Sequence, residues 1–167
     1  TWQVLGQQVL MGNMAFPISV LSTLEGGDVN AAAQAVTDYL TAKATPEGAR
    51  TETQQALMSQ PKLGYNLDAW DGYPAARETV LMTAYQLQKP IITLAGDTHN
   101  AWHSDLKLAG YVNSALAGTQ VGAEFATASV SSPGLEEYLS AIPSVQVKAI
   151  FENVVDDLKW MDPSRRG

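Results

Sequence analysis

The most constraining feature of the chain is a five-residue apolar run, Ile91-Ile92-Thr93-Leu94-Ala95, that passes directly into the polar turn Gly96-Asp97-Thr98-His99-Asn100. A short, continuous run of this kind reads as a strand buried on both faces, the pattern of sheets covered on each side. Immediately upstream, Ala76, Val80, Leu81, Ala84 and Leu87 recur at helical spacing after Pro74 and stop at Lys89-Pro90. Proline suits a first helical turn, so the spacing predicts a helix over 74–87. Helix, short loop, buried strand and polar turn is the order expected of an α/β protein. Ligands in such folds collect at the carboxyl ends of strands. The chain is therefore expected to be α/β, with its chemistry in residues 96–100.

The flanking segments fit around that centre. Residues 2–10 read as a short buried strand. Residues 13–65 are rich in Ala, Gln, Thr and Gly and read as a helical insertion or lid. Within them Asp28 is placed as an N-cap, with Val29, Ala32, Ala33, Val36 and Leu40 on one helical face. A second short helix is expected over 51–59, before Pro61. Downstream, strands are expected at 102–108, 121–130 and 158–161. Helices are expected at 135–142 and 145–155. No internal repeat or low-complexity tract interrupts the 167 residues.

Charge narrows the partners. The chain carries 17 acidic against 10 basic residues, for a net charge of −7, and its only basic doublet is Arg165-Arg166. Non-specific nucleic-acid binding needs clustered Lys and Arg, so it is not expected. A phosphate ester would need a local positive centre, and with few cationic side chains a metal ion is the natural candidate. The absence of cysteine excludes disulfides, thiolate zinc sites and a thiol nucleophile within these residues. No apolar run approaches the roughly 20 residues needed to span a bilayer. No signal peptide is expected within these residues. The opening residues already look strand-like and the last four form no natural ending, so the chain is expected to be part of a longer protein.

Asp97 and His99 stand two apart just past the buried strand, where a carboxylate and an imidazole can enter one cleft and ligate a divalent or trivalent cation. Gly96 allows a sharp turn, and Asn100 can donate or accept a hydrogen bond beside them. The plainer alternative is that Asp97 caps a loop and His99 is only packed. His103 lies four residues after His99, but a zinc-peptidase helix needs Glu directly after the first His, and Asn100 stands there. No Gly-x-Ser-x-Gly elbow occurs, nor a phosphate-loop or dinucleotide glycine pattern. In the aromatic segment 66–73, Asp68 and Asp71 read as loop caps or as a wall of the cleft. Trp70 and Tyr73 read as core anchors, and Arg77 as the partner of a carboxylate.

Together, Tyr65-Asn66-Leu67-Asp68-Ala69-Trp70-Asp71-Gly72-Tyr73-Pro74-Ala75-Ala76-Arg77 and Leu94-Ala95-Gly96-Asp97-Thr98-His99-Asn100-Ala101-Trp102 resemble the alkaline phosphatase D family of metallophosphoesterases. The opening Trp2-Gln3-Val4-Leu5-Gly6-Gln7-Gln8 and the closing segment from Lys159 to Gly167 are similar to that family as well. The resemblance implies part of an αββα sandwich with a metal centre between its two sheets. Residues 1–167 would form the C-terminal portion of one such domain, with 13–65 inserted in it. It also implies phosphomonoesterase or phosphodiesterase chemistry on a phosphate-ester substrate, iron and calcium ions as cofactors, and export to the periplasm or beyond. Asp97 and His99 match the family's C-terminal metal-ligand motif, with Asn100 beside them as a catalytic contact that orients substrate or ligand. The family's other ligands, including a cysteine, lie in an N-terminal half with no counterpart here. The chain alone is therefore expected to be inactive. Two rival readings remain: a non-catalytic interaction fragment that oligomerises through exposed sheet edges, and a small-molecule binding module whose Trp and Tyr residues line a pocket.

Overall fold

The computed structural model describes residues 3–164. Trp2, expected in the first strand, and the doublet Arg165-Arg166 lie outside the described residues. In chain order the elements are β1 (Gln3–Gly6), β2 (Ala15–Pro17), α1 (Ile18–Glu25), α2 (Val29–Ala44), α3 (Glu52–Ser59), β3 (Lys62–Gly64) and α4 (Pro74–Gln86). There follow β4 (Ile91–Ala95), β5 (Ala101–Lys107), β6 (Gln120–Ala126), α5 (Leu135–Tyr138), α6 (Ser144–Val154) and β7 (Leu158–Asp162).

Five strands form the main sheet in the order β1-β4-β6-β5-β7. Strands β1, β4 and β6 run parallel, while β5 is antiparallel to both β6 and β7. The carboxyl ends of the three parallel strands therefore lie together, which places the turn after β4 between the exits of β1 and β6. Register fixes what each face carries. Thr93, Glu124 and Ser104 are aligned across β4, β6 and β5, and all three are buried beneath the helices. On the same face Ala95, Ala126, Trp102, Leu158 and Met161 join Val147, Phe151 and Val154 of α6. Ile91, Leu106 and Val121 pack with Leu81, Met82 and Ala84 of α4.

Among the described residues no layer covers the opposite face. Val4 (63% exposed), Leu94 (46%), Phe125 (47%) and Trp160 (47%) are large apolar residues open to solvent there. Leu94 and Phe125 are register neighbours, and His103 stacks flat on Phe125 with ring centroids 4.6 Å apart. This corrects two expectations. Strand β4 is covered on one face, not two, because the side chains of Ile92 and Leu94 point away from the helices. The first strand is shorter than 2–10 and exposed throughout, because β1 is an edge strand: Val4 lies on the uncovered face, and Leu5, opposite Thr93, lies at the open edge of the covered one. One sheet with helices on one side is one half of an αββα sandwich.

Residues 13–65 contain β2, α1, α2, α3 and β3, with β2 and β3 pairing antiparallel at the base. Helix α2 starts where Asp28 accepts hydrogen bonds from the Asn30 and Ala31 amides. Helix α3 starts on a capping box between Thr51 and Gln54. Phe16, Val20, Val36 and Tyr39 enter the main core beside Trp102 and Phe151, so this segment packs as part of the helical layer. Two expectations about the aromatic segment are also corrected. Tyr73 is exposed, because it sits at the N-cap of α4 outside the packed face. Buried Arg77 hydrogen-bonds the carbonyls of Met11 and Lys107 and no carboxylate, although the charges of Asp71, Asp157, Glu124 and Glu78 act on it. The strand expected over 121–130 ends at Ala126, where the chain bends to meet the β4 turn.

Candidate metal centre

The turn after β4 is held from both sides. The amides of Gly96 and Asp97 donate to the carbonyl of Gln8, just past β1 (3.2 and 3.1 Å). The His99 amide donates to Gly96 O, and the Ser129 amide, just past β6, donates to His99 O at 2.9 Å. His99 adopts φ 65°, the left-handed region that β-carbon sterics disfavour for residues other than glycine. Such strain persists only where surrounding contacts over-determine it, and it clusters at functional sites.

The imidazole of His99 is fixed in a defined tautomer. Its Nδ1 lies 2.7 Å from the carbonyl oxygen of Pro133. A carbonyl can only accept, so Nδ1 carries the proton and Nε2 is the lone-pair nitrogen of the neutral ring. Metal-ligating histidines use the same device, with the second nitrogen bound to a carbonyl or carboxylate. Asp97 is exposed and His99 half-buried, as ligands open to an incoming ion would be. The hydroxyl of Thr98, between them, is buried and has no hydrogen-bond partner.

Asn100 is placed differently from its neighbours. Its side chain is 0% exposed. Its Oδ1 accepts from the Leu135 amide (2.8 Å) and its Nδ2 donates to Glu136 (3.1 Å). Both ends of the amide are thus spent on the segment 134–136, next to the Pro133 carbonyl that orients His99. Gly134 makes this fit possible: a β-carbon there would lie 2.6 Å from the Asn100 amide atoms. Asn100 is therefore placed to position the loop that holds the His99 ring.

A cavity of about 350 Å³ opens beside the turn. Asp97, Thr98, His99 and Asn66 line it, together with Leu21 and Leu24 of α1, Leu135 of α5 and Leu139 just past it. Tyr65 also lines it, and its phenol is pushed up to about 12, first by burial and then by the charges of Asp97 and Asp71. It is a neutral hydrogen-bond donor at any physiological pH.

A second buried polar cluster supports the turn from below. Glu124 accepts from the amides of Met11 (2.8 Å) and Gly12 (2.7 Å), from Gln7 Nε2 and from the Thr93 hydroxyl. Burial raises its pKa, and the two amides oppose that rise. Glu124, Pro133 and Glu136 went unnoticed in the sequence, although one signal was present: Glu124 and Thr93 are polar residues inside strand patterns that are otherwise apolar.

One carboxylate and one tautomer-fixed imidazole suit a hard or borderline cation. Among the described residues, however, no group of three or more His, Cys, Asp or Glu gathers closely enough to enclose a metal ion. The turn fits as part of a coordination sphere. The other residues of the aromatic segment serve the fold: Asp71 accepts from the Met14 amide, Asn66 from the Asp68 amide, and Trp70 donates to Gln7.

Alkaline phosphatase D of Bacillus subtilis (strain 168) is 37% identical over 73 residues, which is 42% of this chain and 12% of that protein. A solved structure titled "Structure of PhoD" superposes on 99% of this chain with a TM-score of 0.50 at 18% identity, and so shares its fold. The chain spans 22% of that structure's length. The family model described as PhoD-like phosphatase matches residues 1–167, and the chain belongs to that family.

Proposed function

We propose that this chain is the C-terminal portion of a metal-dependent phosphomonoesterase or phosphodiesterase, with residues 13–65 as an insertion in its catalytic domain. The observation that carries the reading is the Nδ1–Pro133 hydrogen bond, which leaves His99 a lone-pair Nε2 two residues from Asp97 at the carboxyl ends of the parallel strands. Asp97 and His99 would hold the ion, with iron and calcium expected from the family resemblance. When bound, such ions act as Lewis acids on the phosphoryl group and lower the pKa of water from about 15.7 to about 7. Asn100 keeps residues 133–136 in place, so that the imidazole of His99 is oriented before the ion arrives. Tyr65 offers a neutral O–H to the same cleft. The remaining ligands would come from the part of the full-length protein outside this chain. Among the described residues no helix is long and apolar enough to cross a membrane, and export to the periplasm or beyond belongs to the same proposal.

The test is hydrolysis of a nitrophenyl phosphodiester by the full-length protein with and without chelator. Loss of turnover on chelation, and in His99→Ala, is expected. Turnover that survives both contradicts the mechanism.

A second reading, in which the chain works by association, is favoured by the bare sheet face and the exposed edge strand β1. In that case the isolated chain would form a defined oligomer by sedimentation, and neither Asp97→Ala nor chelator would alter any activity.

A further inference from the structure

The cavity beside the turn is lined by two chemically different sets of residues. One set is polar: Asp97, Thr98, His99 and Asn66, with the phenols of Tyr65 and Tyr138. The other is apolar: Phe16, Leu21, Leu24, Leu135, Leu139 and Phe151. The apolar set comes from β2, α1, α5, the residue just past α5, and α6. Leu21, Leu24 and Leu139 are only half-buried: they pack on the core and still border open space. A cavity of about 350 Å³ is within the range of small-molecule sites, which pair apolar walls with a few polar groups at one end. No Lys or Arg lines it, and Glu25 of α1 stands at its border. An alcohol group carrying its own phosphate or carboxylate would meet Glu25 and find no cation.

A phosphate ester is likewise two-ended, with an anionic phosphoryl group a single P–O bond away from an organic group. If the phosphoryl group lies at Asp97 and His99, its organic group must lie within bonding distance of that point, and the apolar cavity opens there. We infer that this cavity receives the organic group of the substrate and selects phosphate esters of uncharged, apolar alcohols, with Leu24 and Leu139 as specificity-determining residues. The inference rests on the reading of Asp97 and His99 as the phosphoryl end.

The test uses the full-length protein and a series of alkyl 4-nitrophenyl phosphates from methyl to octyl, in which the leaving group is constant. Each methylene that enters the cavity should raise kcat/KM by about fourfold, until the space is filled. A 2-carboxyethyl member should be at least roughly tenfold slower than butyl. Leu24→Ser and Leu139→Ser should each flatten the chain-length slope, read as the octyl-to-methyl ratio within each variant. A flat series in the active enzyme, or a slope unchanged in both variants, overturns the inference. Calorimetric binding of inert methyl and octyl methylphosphonates to chelator-treated protein separates this from the catalytic reading. Tighter octyl binding, with no turnover of any ester by the untreated protein, would keep the cavity assignment and sink the phosphoesterase. Equal binding of both, with turnover by the untreated protein intact, would do the reverse.

Discussion

At the scale of single residues, the site is a short chain of dependencies. His99 depends on the Pro133 carbonyl for its tautomer, and Pro133 is placed by a loop whose next residues are tied to Asn100. Asn100→Ala should therefore weaken metal binding by the full-length protein by roughly tenfold, the lower end of what orienting partners contribute. Direct metal titration against wild type checks this, and unchanged affinity would make Asn100 a core residue only. Glu124 is a second dependency, because its carboxylate satisfies two buried amides. Glu124→Ala should cost at least about 2 kcal/mol in denaturant unfolding at neutral pH, since each orphaned amide costs roughly 1–3 kcal/mol. Its pH dependence has a defined sign. Burial raises the folded-state pKa above the unfolded one, so the folded state holds the proton more tightly. That contribution to stability is fully present below the unfolded value and is lost as pH rises through the raised folded value. Glu124→Gln should flatten this slope of unfolding free energy against pH, and an unchanged slope would assign it to other groups.

At the scale of elements, the strands that carry the site approach closely where glycine permits it. A β-carbon on Gly122 would lie 2.1 Å from the Ile91 carbonyl oxygen, a backbone atom that cannot move aside. Gly122→Ala should destabilise by about 3 kcal/mol, the upper end for overpacking, by separating β4 from β6. Thermal unfolding would show it, and a neutral result would mean that the two strands pair less closely than described. Legibility also sorts by element. Helices α2, α3 and α4 announce themselves through Asp28, Thr51 and Pro74, each a local signal at a helix start. Helix α1 has no such signal: its N-cap is Pro17, no side chain caps it, and no acidic residue stands in its first turn. Strands β2 and β3 are three residues each and exist because Phe16 pairs with Leu63, far away in sequence. The buried reading of β1 failed for a related reason. Val4 and Leu5 look like core residues locally, but β1 is an edge strand, and among the described residues nothing covers the face that carries Val4. That Asp97 and His99 stand together was legible because both lie on one turn. The partners of Asn100 were not, because Leu135 and Glu136 are reached only through the fold.

At the scale of the whole molecule, the bare sheet face and the proposed ligand pair Asp97 and His99 lead to the same expectation. Val4, Leu94, Phe125 and Trp160 form an apolar surface of the kind that marks an interaction face. The αββα architecture assigns it to the second sheet. Phe125→Asp in the full-length protein should then cost more than about 3 kcal/mol, as burying an unpaired charge does. A change within about 0.5 kcal/mol, normal for a surface site, would mean that the face stays in water. The half-site at Asp97 and His99 is completed on the same assumption, by ligands from outside these 167 residues. The most direct test is the metal content of the purified full-length protein, measured by elemental analysis for wild type, Asp97→Ala and His99→Ala at matched folded fractions. Stoichiometric metal in wild type and a substantial loss in both variants is the predicted result. Equal metal content in all three proteins would contradict the assignment of this turn as a metal centre.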